Sequence, residues 1–122
     1  MALTDLHPIN ESVVYCHSAS VGSTPINAAT RAPFRGRIIK VGCVLHSGIS
    51  TSNLLVSTLI AGTTVTGGGF NVTASNSVAG TMGTAVPTAA NTCNEDDAII
   101  FTPTVAAGTT VPATFFAVVR RV

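Results

Sequence analysis

The sequence predicts an all-β protein: a single antiparallel β-sandwich, jelly-roll-like, preceded by an extended N-terminal arm. Three observations predict it. Val, Ile and Thr recur along the chain, and no segment keeps apolar residues at the 3.6-residue spacing a helix needs to bury one face. Gly stands between the β-branched runs, where tight turns require φ > 0. The chain has 122 residues, enough for one core and too few for two. With no helix to cover a sheet, a second sheet has to do so.

Residues 1–33 read as the arm. Pro8, Pro25 and Pro33 fix φ, remove donors and push the residue before them into extended conformations. Ser18, Ser20, Gly22 and Ser23 lie between them. One short strand is expected there, Ser12-Val13-Val14-Tyr15-Cys16.

The sandwich is expected over residues 34–122. Its first strand, Arg37 to His46, places Ile39, Val41, Cys43 and Leu45 on one face, and Lys40, Gly42, Val44 and His46 on the other. Leu54 to Ala61 is more continuously apolar, as in a strand buried on both sides or lying at an interface. Phe70 to Ala74 follows Gly67-Gly68-Gly69 and precedes a Ser/Asn turn. Ala98 to Thr102 and Val111 to Arg121 complete the set. In the last strand, Ala113, Phe115, Ala117 and Val119 share one face, while Thr114, Phe116, Val118 and Arg120 share the other. Ala61-Gly62-Thr63-Thr64-Val65 recurs identically as Ala107-Gly108-Thr109-Thr110-Val111, with a related Ala79-Gly80-Thr81 between. Two copies are one hairpin solution used twice, since a solenoid would persist over more units.

Charge is scarce. Charged residues make up 9% of the chain and hydrophobic ones 46%, against a usual charged share of about 25%. The charges fall at Asp5, Glu11, the group Arg31, Arg35, Arg37 and Lys40, the run Glu95-Asp96-Asp97, and Arg120-Arg121. From Val41 to Asn94 only His46 can carry one. A free soluble protein normally coats itself with Lys, Glu and Asp, so this composition points to a surface covered by neighbours, the pattern of interface cores. Apolar content with a net charge of +1 is the reverse of the disordered signature. Every apolar stretch is broken well before the length of a membrane helix, about 18 residues. Met1 to Pro8 lacks the basic start and apolar run of a secretory signal, so a cytoplasmic origin is expected. Nucleic acid is disfavoured as a partner, because aromatics are 5%, Trp is absent and basic residues number only six.

No catalytic signature stands out. There is no G-x-S-x-G elbow, HExxH, P-loop or EF-hand spacing, and neither catalytic residues nor a cofactor are expected. His7, His17 and His46 are scattered, and Cys16 and His17, neighbours on a strand, point to opposite faces. Gly67-Gly68-Gly69 would cradle phosphate only by opening a helix, and a strand follows it. Cys16, Cys43 and Cys93 form no CxxC pair and read as reduced, buried thiols. Glu95-Asp96-Asp97 reads as a solvated turn, with Ca²⁺ binding by its carboxylates as the alternative. Asn10-Glu11-Ser12 and Asn71-Val72-Thr73 match the glycosylation pattern, accidentally if the chain is not secreted. Arg31, Arg35, Arg37 and Lys40, at the junction of arm and sandwich, are either a solvated face or a contact surface for an acidic protein partner that Arg binds bidentately.

The run Ala32-Pro33-Phe34-Arg35-Gly36-Arg37-Ile38-Ile39-Lys40-Val41, the turn Ile60-Ala61-Gly62-Thr63-Thr64-Val65-Thr66-Gly67-Gly68, and Pro87-Thr88-Ala89-Ala90-Asn91-Thr92 leading to Glu95-Asp96-Asp97 resemble segments of small phage virion proteins. These are the cement, or decoration, proteins of tailed-phage heads. The resemblance covers residues 32 to 121 and rests on turn chemistry; Asn94-Glu95-Asp96-Asp97 departs from the Gly-Asp turn of that pattern. It implies a jelly-roll-like sandwich, homo-oligomers (commonly trimers), a place on the capsid exterior and no enzymatic activity. On this reading the arm and Arg31, Arg35, Arg37 and Lys40 contact the major capsid protein and clamp adjacent capsomers. A tail, neck or fibre-tip component of the virion is the alternative. A carbohydrate-binding module is a more remote one, poorly supplied with aromatic faces.

Overall fold

A computed structural model describes residues 10–22, 24–49, 52–75, 77–104 and 110–122. Among these residues there are strands and no helix, and hence no helix long and apolar enough to cross a membrane. The strands are β1 (Glu11–Ser18), β2 (Ala28–Arg31), β3 (Gly36–Leu45), β4 (Leu54–Ile60), β5 (Thr63–Thr64), β6 (Phe70–Val72), β7 (Met82–Ala85), β8 (Thr92–Cys93), β9 (Ala98–Pro103) and β10 (Ala113–Arg121). They form two antiparallel sheets packed face to face. The first has the order β1-β10-β3-β7, with β8 also on β3; the second has β2-β9-β4-β5, with β6 also on β4. Every pairing is antiparallel. The molecule is a β-sandwich, as the sequence predicts.

The core lies between the sheets. On β10, Ala113, Phe115, Ala117 and Val119 all point inward with no exposure, the face the alternation predicts. Phe115 stacks on Phe101 of β9 at 5.1 Å between ring centres, and Phe70 of β6 approaches it from the side at 6.5 Å. Burying aromatic rings against each other in this way supplies much of a small core's apolar area.

Three expectations are corrected. On β3 the register shifts: Val118 pairs with Lys40, and the next residue, Val119, pairs with Ile38. Ile39 is the extra residue of a β-bulge, which breaks strict alternation. Ile38, and not Ile39, therefore joins Val41, Cys43 and Leu45 in the core. On β4, Leu54, Val56, Thr58 and Ile60 are buried while Leu55 is 42% exposed, so within the chain the strand is buried on one face only; burial on both sides is overturned, and the interface alternative is left standing. Thr58 sits in the apolar layer because its hydroxyl donates to the Gly68 carbonyl at 2.7 Å, which satisfies the group it buries.

The third concerns the arm. Residues 1–9 and Ser23 lie outside the described residues, but the described part of the arm belongs to the sandwich. Eight residues of β1 pair with β10, and β2 pairs with β9. Val21, Ala28 and Ala32 are core residues. The crossing from one sheet to the other is held by Ser18, whose hydroxyl contacts the carbonyl oxygens of Ser20 at 3.0 Å and Ile26 at 2.7 Å, and by the Val21 amide donating to Val111 at 2.8 Å. Pro25 and Pro33 fall between strands, where a missing N–H costs no ladder bond.

The Ala61-Gly62 turn closes the β4–β5 hairpin, in which Ile60 pairs with Thr63. Both turn residues have positive φ, 49° and 87°, as a type I′ turn requires. The second copy, from Ala107, is described only at Thr110 and Val111.

Candidate functional site

Strand register assembles the outward face of the first sheet from residues far apart in sequence. Side chains that do not enter the core form four cross-strand rows. The first is Glu11–Arg120–Arg37–Thr92, and the second is Val13–Val118–Lys40. The third is Tyr15–Phe116–Gly42–Thr84, and the fourth is His17–Thr114–Val44–Met82. The middle is apolar: Tyr15 is 65% exposed, Met82 52% and Val13 43%. Phe116 leans over Gly42, whose missing side chain leaves room for the ring. The result is a smooth aromatic and aliphatic platform whose contiguous apolar surface marks an interaction site more often than ordinary solvent-facing surface.

Charge lies at one end of this platform. Arg120 donates through Nε and Nη2 to Glu11 Oε2 at 2.8 and 2.6 Å. Arg37 stands next to Arg120 across the strands, and Lys40 lies one row nearer the middle. Arg35, in the β2–β3 connection, has its carbonyl oxygen facing the Val122 amide at 3.5 Å. The guanidinium of Arg121 stacks over the Phe34 ring at 4.1 Å, a cation–π contact. Among the described residues the side chains of Arg35, Arg37 and Lys40 make no hydrogen bond or ion pair, and all three are exposed.

The predicted basic group therefore divides. Arg35, Arg37 and Lys40 come together on or beside the first sheet. Arg31 lies on the other sheet, at the end of β2, where its Nη1 donates to the Asp96 carbonyl at 2.8 Å. Arg120 completes the cluster, a residue that sequence reading placed only on the outward face of the last strand. The signal for it was the strand pairing of first, third and last segments, which a linear reading does not contain.

The remaining candidates have structural roles. In Glu95-Asp96-Asp97, the Asp97 carboxylate accepts from the Asn94 amide at 2.9 Å, closing its own turn, and Asp96 takes a positive φ of 68°. Among the described residues no three His, Cys, Asp or Glu side chains gather as a metal site. Cys43 and Cys93 are buried, Cys16 is half-buried, and all three are free thiols. Burial pushes the Cys16 and Cys43 thiols up to about 11 and raises Cys93 as well. All three stay protonated and poorly nucleophilic at neutral pH. On the second sheet an open depression is bordered by Leu55, Ser57, Phe70, Asn71 and Thr104; Phe70 is buried, so no aromatic face is presented there for a sugar to stack on.

No protein-family model matches the chain, and no curated protein matches it significantly.

Proposed function

We propose that this chain is a structural virion protein, a capsid cement or decoration protein that binds the outside of a phage head and stabilises contacts between capsomers. The observation that carries the reading is the outward face of the first sheet. An apolar platform built on Tyr15 and Phe116 is bounded by Arg37, Lys40 and Arg120, and such a face fits an acidic, partly apolar protein surface. The charge-free stretch from Val41 to Asn94 supports the same reading, since it leaves the rest of the surface suited to contacts with further subunits. Strand order supports the jelly-roll form. With β5 and β8 taken as short additions, the sheets are β1-β10-β3-β7 and β2-β9-β4-β6; successive strands alternate between them except at the β4–β6 hairpin, the interleaving of a double Greek key.

In this reading the partners are the major capsid protein and further copies of the chain itself, arranged as a homotrimer. The location is the capsid surface, after synthesis in the host cytoplasm, and no cofactor or catalytic step takes part. Weak contacts repeated over a shell gain strength through avidity. The test is co-sedimentation of purified protein with purified heads, together with its mass in solution by ultracentrifugation. A trimer that binds heads and leaves free tails unbound is the expected result. A monomer that binds neither overturns the proposal, and binding confined to tails replaces it with the tail, neck or fibre-tip reading.

A further inference from the structure

Beyond the basic end and the apolar platform, two imidazoles stand on the same face, one in its fourth row and one just past it. His17 lies on β1, and His46 immediately follows β3. β10 runs between those strands, yet the rings meet above it: their centres are 5.5 Å apart and the planes are inclined at 50°. The Nε2 of His46 is 2.9 Å from Thr114 Oγ1, and Thr114 is the cross-strand partner of His17. Both rings are exposed.

We infer that His17 and His46 form a two-imidazole site for a borderline transition-metal dication such as Zn²⁺, Ni²⁺ or Cu²⁺. Imidazole nitrogen suits these ions. Two imidazoles on one tetrahedral ion, each with a metal–nitrogen bond of about 2 Å, place their ring centres about 5 Å apart, close to the separation already present. Thr114 is a positioning residue. In the tautomer whose Nε2 carries the hydrogen, its hydroxyl accepts that hydrogen and leaves the Nδ1 lone pair of His46 for the metal, the usual support for a ligating histidine. Water, or a side chain of another chain, fills the remaining coordination positions. Cys16 takes no part, because it packs against the core and its thiol is held protonated. The inference is independent of the capsid reading.

The experiment is calorimetric titration of untagged protein with ZnCl₂, and separately with NiCl₂, repeated on His17→Asn, His46→Asn, Thr114→Val, Cys16→Ser and His7→Asn. Circular dichroism checks that each variant is folded. Saturable binding is expected in the parent, Cys16→Ser and His7→Asn proteins. Each of His17→Asn and His46→Asn is expected to weaken it at least tenfold, and Thr114→Val by about tenfold. Absence of saturable binding, retention of full affinity after loss of either ring, or loss of affinity in Cys16→Ser or His7→Asn overturns the site. Unchanged affinity in Thr114→Val overturns the positioning role assigned to that residue.

Discussion

Phe116 lies across Gly42 on the neighbouring strand. A Cβ built on Gly42 would stand 2.7 Å from the ring's Cζ and 2.6 Å from the Gly83 carbonyl oxygen of β7. The glycine thus serves two purposes: it lets β3 and β7 pair without a clash, and it lets an aromatic ring lie flat on the sheet and cover the backbone. Replacing Gly42 by Ala is expected to lower the unfolding free energy by about 1–3 kcal/mol, since backbone or ring must shift. Denaturant titration measures that loss, and a stability equal to the parent's contradicts the packing described.

Tyr15 is the cross-strand partner of Phe116 and the most exposed large apolar side chain of the platform rows. It contributes little to the core, so Tyr15→Ala is expected to change stability by no more than about 0.5 kcal/mol while weakening attachment to heads at least tenfold. Co-sedimentation beside a melting curve separates the two effects. Equal head occupancy by the variant and the parent removes Tyr15 from the interface.

In the proposed capsid reading, Arg35 and Arg37 act on the same partner through charge. Reversing both, Arg35→Glu with Arg37→Glu, is expected to leave folding within about 0.5 kcal/mol and to reduce head occupancy sharply at low salt. Raising the ionic strength of the parent protein's buffer is expected to mimic part of that loss, because exposed charges are screened. Unchanged occupancy would rule out a role for this pair in docking.

Much of this architecture is legible in the sequence. The alternation in Ala113 to Arg120 fixes which face of the last strand is buried, and the Ala61-Gly62 pair marks a hairpin. Strict alternation gives Ile39 the place that Ile38 takes, because the bulge that leaves Ile39 unpaired depends on the register with the neighbouring strand. Prolines suggest unpaired chain and so set the arm apart in the sequence, whereas Pro25 and Pro33 fall between strands. Ala28–Arg31 carries no strand signal in the sequence, since its short Ala-Ala-Thr run has little apolar alternation and becomes a strand only through pairing with Ala98–Phe101. Arg35, Arg37 and Lys40 were legible as a group because they are close in sequence. The meeting of His17 with His46, and of Arg120 with Arg37, follows from sheet order alone.

Ala61 carries a side chain at φ 49°, a left-handed conformation that favours glycine. Ala61→Gly is expected to raise stability by up to about 1 kcal/mol, the strain relief being partly offset by the greater freedom of glycine in the unfolded chain. Gly62→Ala, at φ 87° with open space around the missing Cβ, is expected to lower it by about 1 kcal/mol for conformational reasons alone. Thermal melts of the two variants shifting in the same direction would contradict the type I′ assignment.

Cys43 ties stability to pH. Its thiol titrates near 9.0 when unfolded and about 11 when folded, so between those values the unfolded chain binds fewer protons and its formation is favoured as pH rises. The stabilisation is complete below pH 9 and disappears as pH passes 11, with a total of about 3 kcal/mol. Denaturant midpoints from pH 8 to 11 are expected to fall in the parent and to fall less in Cys43→Ala. Parallel curves would assign the loss to other groups.

The most direct measurement is an electron cryomicroscopy reconstruction of the phage particle in which this chain is proposed to sit. Sandwich-shaped density on the outer surface of the head, with the Tyr15 and Phe116 face against the shell and Arg37 and Lys40 toward acidic residues of the major capsid protein, is the expected result. Density confined to the tail, or contacts made by the opposite sheet with the Tyr15 face left in solvent, contradicts it.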